Sequence, residues 1–327
     1  MNRVITLSEH ILREERSIKD ATGQLTLLLD HIALAGKIIA AHVKRSGLSD
    51  ILGKTGEQNV FNEDVQKLDE FSNKILVDIL GQSGLVYAIV SEELEKPLIF
   101  ENSPGNYIVY IDPLDGSSNI DINASVATIF SIYKKKNDIL QMGMEQIASG
   151  YILYGTSVMF VYTALKEVNG FTLDPEIGSF LMSNPNMIIP ESNNEYSINE
   201  GNTKYFDPQI QQYLNTVKTE EKPYRMRYIG AFVADIHRIL TRGGIFLYPH
   251  DSKNTEGKLR LMHEANPIGL LVYRAGGLAI SSRLNELSKE PMNLLTISGA
   301  DIHSRVPVVM GSKHEVEKFI QLVQNST

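Results

Sequence analysis

Residues 107–119, with the sequence YIVYIDPLDGSSN, decide both the class of fold and the kind of chemistry that we expect. The first five residues are aromatic or β-branched and predict a buried strand. That strand runs directly into Asp112 and Asp115. Pro113 between them fixes φ, so the turn is stiff and both carboxylates can be aimed at one point. Carboxylates and a backbone carbonyl such as that of Leu114 are the oxygen ligands of hard divalent cations. The stretch therefore predicts a metal site at the end of a buried strand.

Three small residues, Gly116, Ser117 and Ser118, follow this turn directly. Their backbone N–H groups and hydroxyls are suited to bind a phosphate. An ordinary Asp-Pro turn with a Gly-Ser loop is the structural alternative. Two aspartates three residues apart, after a strand and directly before Gly-Ser-Ser, are much rarer than such a turn. We interpret the combination as a site that holds a divalent metal beside a phosphate.

A second predicted strand also ends in acidic residues, since LVYAIV at residues 85–90 runs into Ser91, Glu92 and Glu93. Two adjacent acids at a strand end are most often solvated surface. If the two strands lie in one sheet, however, their carboxyl ends coincide and form an acidic cluster. Carboxylates crowded in this way repel one another unless cations neutralise them.

The composition excludes several classes of function. The 327 residues allow about two domains, and 43% of them are hydrophobic, as in a globular protein. Lys and Arg number 31 against 39 Asp and Glu, which gives a formal charge of −8. This balance argues against nonspecific binding to nucleic acid or to anionic membranes. Because the chain has no cysteine, disulfides, thiolate zinc sites and cysteine nucleophiles are excluded.

The N-terminal sequence is charged and amphipathic and lacks the apolar core of a signal peptide. We find no apolar run that approaches the ~20 residues needed to span a bilayer. We therefore expect a cytoplasmic protein with no membrane partner.

Hydrophobic periodicity divides the first half of the chain into helices followed by strands. The helices are predicted at residues 25–46 and 65–81, and the strands at residues 85–90, 107–111, 126–133 and 151–163. Residues 47–62 between the helices are polar and contain glycine, which predicts a loop. Residues 174–200 are dense in Pro, Asn, Ser and Glu and are the best candidate for a domain boundary.

Beyond this segment helices and strands alternate, which predicts an α/β layered second domain. The helices are predicted at residues 230–241, 258–274 and 314–325, and the strands at residues 245–248 and 306–310. Pro267 lies inside the second of these helices and predicts a kink.

The core DPLDGS, together with the Ser-Glu-Glu of residues 91–93, resembles the magnesium-dependent, lithium-sensitive phosphomonoesterase superfamily. Within it, the chain resembles the class I fructose-1,6-bisphosphatases from end to end. The supporting stretches are NVFNEDVQKLD at 59–69, SVATIFSIY at 125–133, YSINEG at 196–201, RYIGAFVADIHR at 227–238, GKLRLMHEANP at 257–267 and the ending AGGLAI…DIHSRVPVVMGS. The C-terminal stretches are specific to the bisphosphatase branch. Inositol monophosphatases carry a Trp-Asp motif in their second half, whereas this chain has no tryptophan.

The resemblance implies an α/β fold of two stacked sheet-and-helix domains in alternating α/β/α/β/α layers. Residues 1–190 would form a regulatory domain that carries most metal ligands, and residues 191–327 a domain that binds the sugar phosphate. A homotetramer in the cytoplasm and a role in gluconeogenesis are implied as well.

The resemblance also implies the metal ligands and the catalytic groups. Two or three Mg²⁺ per subunit, or Mn²⁺ in their place, would be held by Glu92, Asp112, the carbonyl of Leu114, Asp115 and Glu264. An acid such as Glu264 in a predicted helix is most often solvated, and only its setting in KLRLMHEANP favours a ligand. Asp69 and Glu93 would orient and deprotonate the attacking water. A loop acid, Glu63 or its neighbour Asp64, would hold a further metal.

The second phosphate of the substrate needs cations and hydroxyls. The family resemblance assigns this role to Asn199, Arg227, Tyr228, Tyr248 and Lys258, with Arg260 as a further candidate. In the family the arginine matching Arg227 reaches in from a neighbouring subunit. Arginine and lysine side chains most often lie solvated at the surface, and tyrosine side chains most often pack in the core. One position departs from the family pattern, because Asn202 stands where a tyrosine often follows Asn-Glu-Gly.

An AMP effector site is implied near the N-terminal helices. Its candidate residues are Thr22, Gly23, Thr26, Tyr107 and Lys134. Here Gln24 and Asn106 replace a glutamate and a lysine of the family pattern, and Lys134 replaces an arginine. The ammonium group of lysine is a point charge and cannot bind a phosphate through two parallel N–H groups, as the planar guanidinium of arginine can. These changes predict weak or altered inhibition by AMP.

The function that the resemblance implies is magnesium-dependent hydrolysis of the 1-phosphate of fructose 1,6-bisphosphate. Sedoheptulose-1,7-bisphosphatase activity, alone or in addition, is a close alternative, because its distal phosphate would use the same basic pocket. A third interpretation is a catalytically silent, nucleotide-responsive binding protein of the same fold. The carboxylates at every expected metal and base position argue against that third interpretation.

Overall fold

Strand β5, which spans Tyr107–Asp115, is buried along its whole length and lies inside an eight-stranded sheet. The computed structural model describes residues 4–16, 22–45, 54–58, 64–164, 166–284 and 291–324. They form two units. The first comprises the chain up to Ile139 together with Ile147–Asn186, and the second comprises Leu140–Gln146 and Met187–Thr327. Both units combine helices with sheets, which confirms the α/β class.

The first unit carries the long mixed sheet and the N-terminal helices. The helices are α1 (Leu7–Glu15), α2 (Gln24–Val43) and α3 (Lys67–Gln82). The strands besides β5 are β1 (Lys54–Gln58), β2 (Asp64–Gln66), β3 (Val86–Ser91), β4 (Leu98–Ile99), β6 (Val126–Lys134), β7 (Ala148–Tyr154), β8 (Val158–Thr163), β9 (Val168–Asp174) and β10 (Ser179–Asn184). The sheet order is β10-β9-β8-β7-β6-β5-β3-β4, and within it only β3 and β5 pair in parallel.

Helix α2 packs closely against the sheet because Gly36 has no side chain. A Cβ atom at Gly36 would lie 2.2 Å from Cδ1 of Ile152 on β7. Leu28, Leu29 and Ile32 share the same buried core. In the described part of the chain, α2 is also the one helix long and apolar enough to cross a membrane by length and composition, although the sequence was expected to contain no such run. Half of its apolar window is buried in the protein, which is typical of a core helix.

The second unit is built around a six-stranded sheet with the order β12-β11-β13-β18-β15-β16. Its helices are α4 (Pro208–Thr219), α5 (Phe232–Arg242), α6 (Asn266–Arg274) and α7 (Lys313–Gln324). Its strands are β11 (Glu195–Ser197), β12 (Arg225–Met226), β13 (Ile245–Tyr248), β14 (Leu259–Arg260), β15 (Leu278–Leu284), β16 (Pro291–Asn293), β17 (Arg305–Val306) and β18 (Val308–Gly311). Tyr213 on α4 packs edge-on against Phe319 on α7, with ring centroids 5.0 Å apart.

Several predicted elements differ from the structure. Residues 306–310 are not one strand, because Val306 belongs to β17, which pairs with β14, whereas residues 308–310 belong to β18 of the six-stranded sheet. Residues 151–163 are not one strand, because the chain turns at residues 155–157 and divides them between β7 and β8. Residues 258–274 are not one kinked helix but β14, a π-helical turn at Leu261–Ala265, and α6. Pro267 is the second residue of α6, which directly follows the π-helical turn. In the predicted loop 47–62, residues 54–58 form β1, and the remaining residues lie outside the described ones.

Candidate active site

The carboxyl ends of β3 and β5 lie side by side. The strands pair in parallel, with Ser91 opposite Ile111, and the N–H of Glu92 donates to the carbonyl of Ile111 at 3.0 Å. The two acidic strand ends that the sequence singled out, Glu92 and Asp112, are therefore neighbours at one edge of the sheet. The condition set by the sequence, that both strands belong to one sheet, is met.

A β-bulge brings Asp112 and Asp115 to the same side of β5. Residues three apart on a regular strand point to opposite faces. On the partner strand β6, however, Asp112 pairs with Ile129 and Asp115 with Ala127, so three steps on β5 match two on β6. The extra residue restores a common face. Both carboxylates are buried, and one oxygen of each lies within 4.8 Å of the other.

The turn between these aspartates is held by hydrogen bonds on both sides. Asp112 accepts the N–H of Leu114 at 3.0 Å. On the other side, the hydroxyl of Thr128 donates to the carbonyl of Pro113 at 2.9 Å and lies 2.8 Å from the hydroxyl of Tyr154. Two buried carboxylates fixed this close together repel one another, and a divalent cation relieves the repulsion. The donor set therefore fits a hard divalent metal.

We expect Thr128→Val to weaken metal binding roughly tenfold to a hundredfold, because supporting hydrogen bonds around a metal site have effects of that size. Valine keeps the shape of threonine and removes the donor to Pro113. The measurement is a Mn²⁺ titration followed by electron paramagnetic resonance. Thr163→Val is the matched control, because the Thr163 hydroxyl is buried at the end of β8 and makes no hydrogen bond. Equal affinities in the two variants would contradict a positioning role for Thr128.

The small residues after the turn leave the sheet at once. Gly116 adopts φ +75°, a left-handed conformation that favours glycine, and a 3₁₀ helix begins at Ser117. The side chain of Ser118 is exposed and that of Ser117 is half-buried. Their polar groups are open to an incoming anion beside the two aspartates.

Helix α3 carries Asp69 toward the same strand ends. Asn73 accepts a hydrogen bond from Ser91 at 2.7 Å, so this face of α3 lies against the end of β3. Asp69 is four residues earlier, on the same face of the helix, and is buried. The hydroxyl of Ser91 also accepts the N–H of Glu93 at 3.3 Å, which fixes the backbone of Glu92 and Glu93 directly after β3. Of the two candidates for the loop ligand, Glu63 lies outside the described residues, and Asp64 begins β2.

In the second unit, four predicted phosphate-binding residues lie together. Tyr228 is hydrogen-bonded to Asn199, and Nζ of Lys258 lies 5.8 Å from the ring centroid of Tyr248. Burial first, and then the charge of Asp235, raise the pKa of Tyr228. Burial is also the largest cause that raises the pKa of Tyr248, followed by its neighbour Tyr228. Both hydroxyls therefore stay protonated near neutral pH and can donate to a phosphate.

The remaining candidates of this unit differ in exposure. Glu264 lies in the π-helical turn and accepts the backbone N–H of Arg260 at 2.6 Å. The Arg260 side chain is almost fully buried. Arg227, in contrast, is half exposed, and its Nε lies 4.0 Å from the carboxylate of Glu195.

Two of the predicted effector residues, Thr26 and Tyr107, lie beside the buried carboxylate of Glu15, which the sequence did not single out. Thr26 on α2 donates to Glu15 at 2.6 Å, and both side chains are buried. Burial, and then the charge of Glu15, raise the pKa of Tyr107. Lys134 is opposite Tyr107 in the sheet. Gly23 caps α2 with φ +75°, and Thr22 before it is exposed.

Comparisons with known proteins cover nearly the whole chain. Residues 5–185 match the family described as fructose-1-6-bisphosphatase, N-terminal domain, and residues 189–324 match its C-terminal domain. A class 1 fructose-1,6-bisphosphatase of Sulfurihydrogenibium sp. is 47% identical, with 98% of each chain covered. One of Maridesulfovibrio salexigens is 45% identical, with 100% of this chain and 99% of the other covered. A crystal structure of Leishmania major fructose-1,6-bisphosphatase in holo form has a TM-score of 0.91 at 35% identity and covers 99% of each chain.

Fold, acidic turn and relatives together define a phosphoric monoester hydrolase. The chain belongs to the fructose-1,6-bisphosphatase family, class I, as the resemblance predicted. Membership implies a divalent-metal requirement, which the paired aspartates of β5 fit.

Proposed function

We propose that this protein hydrolyses the 1-phosphate of fructose 1,6-bisphosphate to give fructose 6-phosphate and phosphate, with Mg²⁺ as its cofactor. The observation that carries the proposal is the bulged Asp112–Asp115 turn, adjacent to Glu92 and followed by a Gly-Ser-Ser segment in which Ser118 is exposed. The protein would work in the cytoplasm, in gluconeogenesis.

The metal ligands of the proposal are Glu92, Asp112, the carbonyl of Leu114 and Asp115, with Glu264 added by the family resemblance. A bound divalent cation supplies Lewis acidity toward the phosphate oxygens and the leaving alkoxide. Gly116, Ser117 and Ser118 bind the phosphate that is cleaved.

Asp69 and Glu93 orient the attacking water and accept its proton as general bases. The water oxygen forms a bond to phosphorus while the bond from phosphorus to the sugar oxygen breaks. No cysteine nucleophile is involved, because the chain has none. A phosphate-release assay with fructose 1,6-bisphosphate, with Mg²⁺ and with excess chelator, tests this function.

Asn199, Tyr228, Tyr248, Lys258 and Arg260 would bind the distal phosphate. Arg227 would serve a neighbouring subunit of a homotetramer. Its half-exposed side chain supports that role, as do the exposed apolar side chains beside it. These apolar neighbours of Arg227 are Met226, Tyr228 and Ile229.

We expect Arg227→Ala to raise KM for fructose 1,6-bisphosphate about tenfold or more while kcat stays within about twofold. A charge-assisted contact to a non-reacting phosphate contributes to binding in the ground state and the transition state alike. Steady-state kinetics measure this split. Arg225→Ala is the control, since Arg225 is also exposed and lies two residues away. An equal loss in kcat and kcat/KM would assign Arg227 to the reacting centre instead.

We expect AMP to inhibit this protein weakly. Glu15 places a buried carboxylate beside Thr26 and Tyr107, where it would repel the phosphate of AMP. Lys134 offers that phosphate a point charge in place of the planar guanidinium of an arginine. Lys134→Arg should lower the AMP concentration for half-inhibition by roughly threefold to tenfold. Lys136→Arg is the control, because Lys136 is exposed two residues further on. Half-inhibition by AMP at nanomolar concentration in an activity titration would contradict this expectation.

A further inference from the structure

The segment between β12 and α5 carries two of the proposed phosphate-binding residues. It consists of residues 227–230, which we call the Arg227 loop. It includes Arg227 and Tyr228 and ends at Gly230, which adopts φ +84°. The N–H of Arg227 continues the pairing with β11, because it donates to the carbonyl of Tyr196 at 2.8 Å. The conformation of the rest of the loop depends on the groups that bind its other N–H and C=O groups.

Asp235, in the first turn of α5, holds the C-terminal half of the Arg227 loop. Its side chain is fully buried. Both carboxylate oxygens lie 3.1 Å from the N–H of Ile229, and one of them accepts the N–H of Gly230 at 3.2 Å. The carboxylate thereby fixes the backbone directly after Tyr228.

Arg238, one turn further along α5, holds the other half of the same loop. It is three residues after Asp235 and therefore on the same helix face. One guanidinium nitrogen donates to the carbonyl of Arg227 at 3.1 Å, and another forms an ion pair with Glu195. The same Glu195 carboxylate lies 4.0 Å from Nε of Arg227. Asp235 and Arg238, on one face of α5, thus bind two N–H groups and one C=O group of the Arg227 loop.

Asp235 also connects this loop to Asn199. The hydroxyl of Ser197 donates to Asp235 at 2.8 Å, and Ser197 is two residues before Asn199. Tyr228 is hydrogen-bonded to Asn199 in turn. One buried carboxylate therefore fixes both chain segments from which these two side chains project.

We propose that Asp235 and Arg238 are positioning residues for the distal phosphate of the substrate. They hold Tyr228 and Asn199 in place for the site of their own subunit, and Arg227 for the site of a neighbouring subunit. The inference rests on the proposed function, because it needs a substrate with a second phosphate. The proposal gives Asp235 and Arg238, within the Ala-Asp-Ile-His-Arg of residues 234–238, a role in substrate binding. Stabilisation of α5 alone would not require these two residues.

The test uses two substrates that differ only in the distal phosphate, fructose 1,6-bisphosphate and fructose 1-phosphate, and the variants Asp235→Asn and Arg238→Gln. The asparagine of Asp235→Asn cannot accept all of the N–H groups that the carboxylate accepts, because its amide nitrogen is a donor. We expect kcat/KM for fructose 1,6-bisphosphate to fall on the order of tenfold to a hundredfold through KM, since small misplacements of binding groups have effects of this size. The loss for fructose 1-phosphate should be less than about twofold.

Arg242→Gln is the matched control, because Arg242 is an exposed arginine at the end of the same helix. Arg238 remains testable if Asp235→Asn does not fold, because the Arg238 side chain is partly exposed at the surface. In an Arg227→Ala background, the effect of Arg238→Gln on KM should shrink, since the guanidinium acts through that loop. Equal losses on both substrates, or no loss on either, would overturn the proposal. Failure of the unaltered protein to hydrolyse fructose 1,6-bisphosphate would instead overturn the proposed function.

Discussion

Replacing Asp69 by Asn is expected to lower kcat by roughly 10²- to 10⁴-fold, the range for loss of a positioned general base. Asparagine has nearly the same shape and cannot accept the proton of the attacking water. Asp69 is buried, and it shares a face of α3 with Asn73, which accepts a hydrogen bond from Ser91 at the end of β3. KM for fructose 1,6-bisphosphate should change little, because the base does not contact the distal phosphate.

Glu70→Gln is the control for this experiment, since Glu70 adjoins Asp69 in the first turn of α3 and is exposed. It removes the same charge from the same helix end at a position that faces solvent. If Asp69→Asn keeps the full kcat while Glu70→Gln behaves as expected, Asp69 is not the base.

Replacing Asp112 by Asn is expected to lower metal-dependent turnover by about 10³-fold, because the site loses one of its anionic ligands. The amide oxygen of the introduced asparagine can still accept the N–H of Leu114, as the carboxylate does at 3.0 Å, so the turn itself should persist. Calorimetric titration with Mn²⁺ should show a matching loss of affinity while the thermal midpoint without metal stays close to that of the unaltered protein.

Asp121→Asn is the matched control, because Asp121 is exposed in the 3₁₀ helix after the same turn. Normal metal affinity in Asp112→Asn would contradict a ligand role for Asp112. A similar loss in both variants would show that net charge, rather than coordination, controls metal binding.

The sequence predicted β5 and its acidic end well, because a buried strand and an Asp-Pro-Leu-Asp turn are local features. The bulge that places Asp112 and Asp115 on one face could not be predicted, since it depends on the register with β6. The support from Thr128 and Tyr154 could not be predicted for the same reason. These residues are 26 positions apart and meet only through the pairing of β6 with β7.

The errors in secondary structure also have local physical causes. Residues 258–274 are apolar enough to resemble a helix, yet Leu259 and Arg260 pair with β17 and the next five residues form a π-helical turn. Pro267, which predicts a kink inside one long helix, lies at the junction between the π-helical turn and α6. Helical periodicity cannot predict the role of Asp235, because the four hydrogen bonds of its side chain go to the Arg227 loop and to Ser197.

Release of phosphate from fructose 1,6-bisphosphate, measured as a function of Mg²⁺ concentration, tests the central claim most directly. Sedoheptulose 1,7-bisphosphate and inositol 1-phosphate are assayed in parallel, and excess chelator is added at the end. We expect release from fructose 1,6-bisphosphate that rises with Mg²⁺, stops with chelator and exceeds release from inositol 1-phosphate. No metal-dependent release from any sugar bisphosphate, or preferred hydrolysis of inositol 1-phosphate, would contradict the account.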